Sequence, residues 1–171
     1  MNLRLFYDAN ILFILSCENS CQHLFAIEYP PPQVYFSTMK NLNPYLFFNG
    51  QCKAAMEFYN KNLGGELEIM TVGDAKQEIF KDANQNLVMH SMLKTQNFQI
   101  MGSDNMEGTT VVGDNVCIII DCSSREELDR LFGALSKGGE SVMKPSDTFW
   151  GAYFGSLTDQ FGISWMFNFQ A

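Results

Sequence analysis

The sequence has little positive charge. Its 11 Lys and Arg residues stand against 19 Asp and Glu, which gives a formal net charge of −8, and the basic residues are scattered singly along the chain. Proteins that bind nucleic acid or anionic lipid need a basic face that neutralises phosphates. The sequence therefore predicts that neither nucleic acid nor a membrane surface is a partner.

Long apolar runs are absent as well. A membrane-spanning helix needs about 20 consecutive apolar residues. The nearest candidate, residues 11–15, is much shorter, and the polar Asp8 and Asn10 stand just before it. A signal peptide would need a more basic start than the single Arg4. The pattern predicts neither kind of segment.

The cysteines do not form the pattern of a disulfide framework. There are five, an odd number at irregular spacings, whereas small secreted domains carry patterned, even sets. We therefore expect a cytoplasmic protein. Cys17, Cys21 and His23 have a spacing that suggests zinc, but a structural zinc site needs four ligands and no second pair follows at finger spacing.

The first part of the chain differs from the rest. Residues 1–38 lack steady periodicity and contain three consecutive prolines, whereas strand and helix signals begin cleanly after Met39. We interpret residues 1–38 as an N-terminal extension, poorly ordered or mis-started, so that the natural start is either Met1 or Met39. Residues 39–171 are long enough for one domain with a sizeable core.

The first half of this domain combines one helix with several strands. An apolar strand over residues 44–48 is followed by the turn Asn49-Gly50, which also offers an N-cap. The helix that follows has an apolar stripe at helical spacing and stops at Gly64-Gly65. Further strands are predicted over residues 66–72, 77–81, 87–93 and 98–101.

The second half repeats this order. A strand over residues 116–121 is followed by a capping box at residues 124–127, a second amphipathic helix and the stop Gly138-Gly139. Strands near residues 140–144, 152–157 and 163–169 complete the unit. An internal duplication, with modules at about residues 43–104 and 114–170, is the simplest account.

The repeated order predicts an α+β fold of two βαβββ modules. Each module leaves one face of its sheet uncovered, and two such sheets can pair into a curved mixed sheet with the helices outside. The inside of such a sheet is a cup, which is where a small ligand would bind.

Three stretches carry a resemblance to a known family. They are PYLFF at residues 44–48 leading to EFY at 57–59 and LGG at 63–65; IMGSD at 100–104; and TFW at 148–150 leading to TDQFGISWM at 158–166. With these motifs the sequence resembles the vicinal oxygen chelate superfamily, PhnB-like branch. The superfamily includes glyoxalase I, bleomycin-resistance proteins and extradiol dioxygenases.

The resemblance implies a ligand cup and, in metal-bearing relatives, four metal ligands on its inner face. The matching positions here are Pro44, His90, Asn115 and Met166. Only His90 is a good ligand for a divalent metal, because proline has no side-chain donor, Asn is a weak ligand and the thioether of Met suits Cu(I). We therefore expect no metal site of this kind and no cofactor.

Strand alternation and the resemblance together suggest ligand-binding residues. On one predicted strand His90 shares a face with Met92, and the resemblance assigns this face to the cup. A core histidine bonded to a backbone carbonyl is the competing interpretation of His90. Trp150 and Tyr153 would form an aromatic wall or simply close the core. The candidate ligand-binding residues are His90, Met92, Asn115, Trp150, Tyr153 and Met166.

Three functions follow from this site. The expected function is a metal-independent, small-molecule-binding protein, and the alternatives are a metal-dependent lyase or dioxygenase and a metal-free enzyme that uses His90. Whether any reaction is catalysed stays open at this point. The methyltransferase label that some members of this branch carry is a further alternative, although no glycine-rich nucleotide loop follows any predicted strand. The resemblance and the open sheet edges predict a homodimer.

Overall fold

The computed structural model describes residues 40–171 and, from the first 39 residues, only the backbone of three strands. These strands, β1 (Leu3–Asp8), β2 (Ile11–Glu18) and β3 (Cys21–Glu28), form an antiparallel sheet in the order β1-β2-β3. The chain divides into the units Met1–Asn41 and Leu42–Ala171. The side chains of Cys17, Cys21 and His23 lie outside the described ones. The N-terminal extension, with a natural start at Met1 or Met39, stays a prediction.

The second unit contains both predicted βαβββ modules. The first consists of β4 (Tyr45–Phe48), α1 (Cys52–Leu63), β5 (Glu66–Thr71), the one-turn α2 (Val72–Ala75), β6 (Val88–Lys94) and β7 (Gln99–Asp104). The second consists of β8 (Ile118–Asp121), α3 (Arg125–Leu135), β9 (Glu140–Asp147), β10 (Tyr153–Thr158) and β11 (Ser164–Phe169). The predicted α+β fold with a duplicated module is confirmed.

The predicted strand over residues 77–81 is wrong. Thr71 and Asp74 form a capping box that starts α2 instead, and a 3-10 turn spans Glu78–Phe80. Short helical turns therefore occupy residues 72–75 and 78–80 in place of the predicted strand. Without that strand the first module has the expected single strand, helix and three strands.

The two modules have the same sheet topology. The strand order is β4-β7-β6-β5 in the first sheet and β8-β11-β10-β9 in the second. In each sheet the first strand pairs in parallel with the last strand of its module, and the other pairs are antiparallel. This correspondence agrees with the internal duplication.

Helix α1 receives its N-terminal cap from a distant strand. Gln51 makes no side-chain cap bond, and the predicted cap, Asn49, instead bonds the backbone of Thr110. The buried carboxylate of Asp104 accepts a hydrogen bond from the backbone N–H of Cys52 at 2.9 Å. The helix ends as predicted at Gly64, whose φ of 76° favours glycine.

Helix α3 is capped locally, as the sequence predicts. The hydroxyl of Ser124 accepts a hydrogen bond from the backbone N–H of Glu127 at 3.1 Å. The carboxylate of Glu127 bonds Ser123 rather than Ser124: it accepts a hydrogen bond from the backbone N–H of Ser123 at 2.8 Å. The hydroxyl and the backbone N–H of Ser123 both donate to this carboxylate and lower the pKa of Glu127.

Each helix covers one face of its own sheet. Cys52 of α1 contacts Ser91 of β6, with 3.4 Å between sulfur and hydroxyl oxygen. Phe132 of α3 packs on Phe167 of β11 with ring centroids 5.8 Å apart. All four side chains are buried, so these faces form the core.

The two covered faces share that core through Tyr59 of α1. Its ring centroid lies 5.4 Å from that of Trp165, which is buried on the covered face of the second sheet. The covered faces are therefore turned toward each other, and the helix-free faces are turned away from each other. We call the helix-free face of β4-β7-β6-β5 the first face and that of β8-β11-β10-β9 the second face. One chain alone does not bring these two faces together around a cup.

Candidate functional site

The first face carries a half-exposed group of apolar and aromatic side chains around His90. Strand register sets Met70 opposite His90, Met92 opposite Met101, and Tyr45 opposite Met101. The group consists of Tyr45, Phe47, Met70, His90, Met92 and Met101.

His90 is oriented by Tyr45. Its Nδ1 lies 3.3 Å from the Tyr45 hydroxyl, and the two rings have centroids 5.9 Å apart. Neighbouring Ser91 and Leu93 are fully buried on the opposite, helix-covered side. The imidazole therefore belongs to the first face, and its Nε2 is available to a ligand.

Three large side chains of the first face are unusually accessible for their size. Phe47 is 54% exposed, Met70 is 43% exposed and Tyr45 is 38% exposed. Such a cluster marks an interaction surface when its members are contiguous. Sequence reasoning identified His90 and Met92 here but missed Tyr45, Phe47, Met70 and Met101, which period-two alternation along β4, β5 and β7 would have assigned to this face.

The second face is less apolar and includes Met166. This side chain is 37% exposed and lies opposite Ile119 of β8 and Ser156 of β10. Beside it, Asn168 donates a hydrogen bond from Nδ2 to Asp121 at 2.9 Å. Met166 and His90 therefore lie on faces that point away from each other within one chain.

Trp150 extends the second face at the tip of the β9–β10 hairpin. The turn is rigid, because the Thr148 hydroxyl donates to the carbonyl of Ala152 at 2.7 Å and accepts from its N–H at 3.1 Å. Trp150 packs edge-on against Phe154 of β10, with centroids 6.0 Å apart. It remains 52% exposed, and the adjacent Phe149 is 97% exposed.

Tyr153 lies on the other side of the sheet from the expected ligand wall. Its hydroxyl donates to Asp129 of α3 at 3.0 Å, and the guanidinium of Arg125 sits 4.5 Å from the centre of its ring. Arg125 also bonds Asp147 and lowers the pKa of that carboxyl. Along β10, Tyr153 and the buried Leu157 are four residues apart, so both side chains point to the helix-covered face. The contacts of Tyr153 thus hold α3 against the sheet.

The remaining candidate, Asn115, lies in the loop before β8. The strand begins only at Ile118, and Asn115 is exposed. The sequence predicted a strand from residue 116, directly after Asn115. Because the strand starts two residues later, Asn115 lies in the loop and not at the end of a strand.

The donors at the four family positions do not fit a divalent metal. Pro44 contributes only its carbonyl, which accepts from the N–H of Met101 at 3.1 Å. Met166 offers a soft thioether, and His90 lies on the other free face. Within residues 40–171 no group of three or more His, Cys, Asp and Glu side chains is placed to hold a metal ion.

A groove of about 440 Å³ runs between the modules near the start of β7. Its floor is apolar and includes Ile100, Leu131 and Trp165, and Glu127 and Arg130 stand at its rim. Sequence reasoning did not find it, because its lining comes from elements distant in the chain.

The chain matches the family model described as 3-demethylubiquinone-9 3-methyltransferase over residues 40–167. Protein YjdN of Escherichia coli is 30% identical over 137 residues, which cover 74% of this chain and 93% of YjdN. The chain belongs to the PhnB-like family of the vicinal oxygen chelate superfamily. Solved glyoxalase/bleomycin resistance/dioxygenase structures share the fold at 14–17% identity.

Two solved structures illustrate this PhnB-like similarity. Protein PA1353 from Pseudomonas aeruginosa is 39% identical, covers 75% of this chain and 96% of its own, and superposes with a TM-score of 0.67. A putative 3-demethylubiquinone-9 3-methyltransferase, PhnB protein, from Bacillus cereus is 22% identical. The match covers 76% of this chain and 99% of that protein, with a TM-score of 0.61. Among the helices of the described residues, none is long and apolar enough to cross a membrane.

Proposed function

We propose that this PhnB-like protein is a cytoplasmic homodimer that binds a small molecule between the first face of one chain and the second face of its partner. Binding depends on no divalent metal or other cofactor. Nucleic acid and membranes are not its partners, given the net charge of −8 and the scattered basic residues.

The observation that carries this proposal is the composition of the first face. Tyr45, Phe47 and Met70 stay substantially exposed although each is large and apolar. A single imidazole, His90, stands among them with Nδ1 engaged by Tyr45. An apolar wall with few convergent polar groups is the usual lining of a small-molecule site.

A second copy supplies the opposite wall. The two faces of one chain point away from each other, so His90 can meet Met166 and Trp150 only across a dimer. Strands β4 and β8 are also edge strands, each paired on one side only. Unpaired strand edges and contiguous apolar faces both favour association.

The chemistry of these walls suits a planar, mainly apolar ligand with one carbonyl or hydroxyl group. The rings of Tyr45 and Phe47 lie 5.1 Å apart and form one aromatic patch. The free Nε2 of His90 donates to a carbonyl in one tautomer and accepts from a hydroxyl in the other. Trp150 of the partner would stack on the remaining face of the ligand.

A metal-free enzyme using His90 is the second candidate. The observation in its favour is the Tyr45 hydroxyl, 3.3 Å from Nδ1, because a base is most effective when a neighbour fixes its orientation. Turnover that disappears in His90→Ala would establish it. Methyl transfer, which the family description names, would be indicated by S-adenosylmethionine raising the melting temperature. The donor set gives no support to a divalent-metal lyase or dioxygenase.

His90→Ala tests ligand binding directly. Anilinonaphthalene sulfonate, an aromatic dye whose sulfonate is a hydrogen-bond acceptor, serves as the probe in a fluorescence titration. Loss of one hydrogen bond to a buried partner costs about 1–3 kcal/mol, so we expect dye affinity to fall by about one to two orders of magnitude in His90→Ala. Phe47→Ala should weaken binding as well.

Ile79→Ala is the matched control. Ile79 is 83% exposed but lies on neither face, so its truncation should leave dye affinity unchanged. Unaltered affinity in His90→Ala, together with a large loss of stability, would make His90 a core histidine and remove the proposed site.

A further inference from the structure

Three of the side chains around His90 are methionines. Met70 lies directly opposite His90 on the neighbouring strand, and Met92 lies directly opposite Met101. Met92 also follows His90 by two residues on β6 and so shares its face. His90 therefore has Met70 and Met92 as neighbours on the first face. Met101 lies on the far side of Met92.

The spacing of Met70, Met92 and His90 allows their donor atoms to reach one point. Side chains directly opposite each other on paired strands have Cβ atoms about 4.5–5.5 Å apart, and diagonal neighbours lie about 7–8 Å apart. Methionine has three rotatable bonds, so its sulfur can move over this range. The bond between Nδ1 of His90 and Tyr45 leaves Nε2 as the free nitrogen.

We propose that Met70, Met92 and His90 form a binding site for a soft monovalent cation, Cu(I). Thioether sulfur selects Cu(I), and imidazole also binds copper. These two thioethers, which are poor ligands for zinc, nickel or iron, are thus suitable donors here. The inference goes beyond the proposed function, since it assigns a second class of ligand to the first face.

Two further features of the face fit this cation. The Tyr45 hydroxyl can hold the His90 ring in the tautomer that presents Nε2, as the outer partners of metal-bound histidines do. The rings of Tyr45 and Phe47 border the donors and would limit the access of water. Met70 is 43% exposed, which leaves a path for the ion.

Silver(I) is the probe, because it has the same charge and ligand preference as Cu(I) and does not change oxidation state. The full-length protein is labelled with ¹³C at the methionine methyl groups, and the signals are assigned with Met→Leu variants. The chain has five cysteines, whose thiols also take silver, so the readout has to be specific to each methionine.

We expect silver to shift the methyl signals of Met70 and Met92 together, saturating at one equivalent beyond that taken by the thiols. Anaerobic Cu(I) should shift the same two signals, and zinc should shift neither of them. His90→Ala and Met92→Leu should each weaken silver binding, and Tyr45→Phe should weaken it by about tenfold.

Met56→Leu is the matched control. Met56 is fully buried in helix α1, which covers the opposite face of the sheet, so its replacement should leave silver binding unchanged. Silver or Cu(I) uptake that leaves the two signals in place, or equal shifts in His90→Ala, would overturn the site. A negative silver experiment would not contradict the proposed small-molecule site, which the dye titration tests. A negative dye titration would likewise not contradict the cation site.

Discussion

Asp159 is almost fully buried and accepts four hydrogen bonds. One carboxylate oxygen takes the Tyr59 hydroxyl at 2.7 Å and the indole N–H of Trp165 at 2.9 Å. The other takes the backbone N–H groups of Phe161 and Ile163. The Asp-x-Phe-Gly motif, which helped to identify the family, therefore joins the β10–β11 turn to helix α1 and serves stability rather than the ligand.

Asp159→Asn should destabilise the protein far more than His90→Ala. The amide of Asn has only one acceptor oxygen, so either orientation aims its NH₂ group at two donors. A buried donor left without a partner costs about 1–3 kcal/mol. We expect a loss of this size or more for Asp159→Asn in urea unfolding, and a smaller loss for His90→Ala.

Leu131→Ala is the reference for a core residue in these melts, with an expected loss of about 2–5 kcal/mol. Asp121→Asn, at an exposed carboxylate, is the control for charge removal. A His90→Ala loss equal to that of Leu131→Ala would contradict the placement of His90 on the first face.

At the scale of elements, the sequence predicted well wherever a local pattern sets the structure. The stripes of α1 and α3, their glycine stops and the cap at Ser124 all arise from residues within a few positions of each other. The cap of α1 could not be predicted in this way, because Asp104 reaches Cys52 from β7. For Tyr153 the sequence left open a ligand wall and the core, and alternation with the buried Leu157 would have favoured the helix-covered side.

The free faces could be predicted only in part. Alternation assigns His90 and Met92 to one face, but it does not reveal that two faces of the same chain point in opposite directions. That arrangement depends on the contact between Tyr59 and Trp165, which are far apart in sequence and belong to different modules. Neither helix periodicity nor strand alternation encodes such a contact.

Helix α1 should make the protein sensitive to alkaline pH. Burial raises the pKa of the Cys52 thiol from 9.0 to about 11, and burial together with the charge of Asp159 raises the pKa of Tyr59. A raised pKa in the folded state contributes stability that is complete below the pKa of the unfolded state. That contribution is lost as the pH rises from about 9 to about 11 for Cys52.

Cys52→Ser isolates the contribution of the thiol. Serine keeps the contact with Ser91 but does not ionise in this range. We expect the free energy of unfolding of the native protein to fall between pH 9 and 11, with roughly 2 kcal/mol of the fall due to this group, and the variant to lose less. Parallel pH profiles of the two proteins would contradict this expectation.

At the scale of the whole molecule, the duplicated modules leave both binding faces uncovered. The first face has aromatic rings and His90, and the second has Met166 and the Trp150 hairpin. A two-fold dimer would pair each first face with the partner's second face and produce two equivalent cups. Each cup would then take residues from both chains.

Subunit mixing tests this central claim most directly. His90→Ala and Trp150→Ala homodimers should each bind the naphthalene dye weakly, because every cup lacks one wall. Light scattering should return a dimer mass for both. After subunit exchange, each mixed dimer has one cup with both walls intact and one with neither, so strong binding should return in about one quarter of the cups. No recovery after verified exchange, or a monomer mass, would contradict the account.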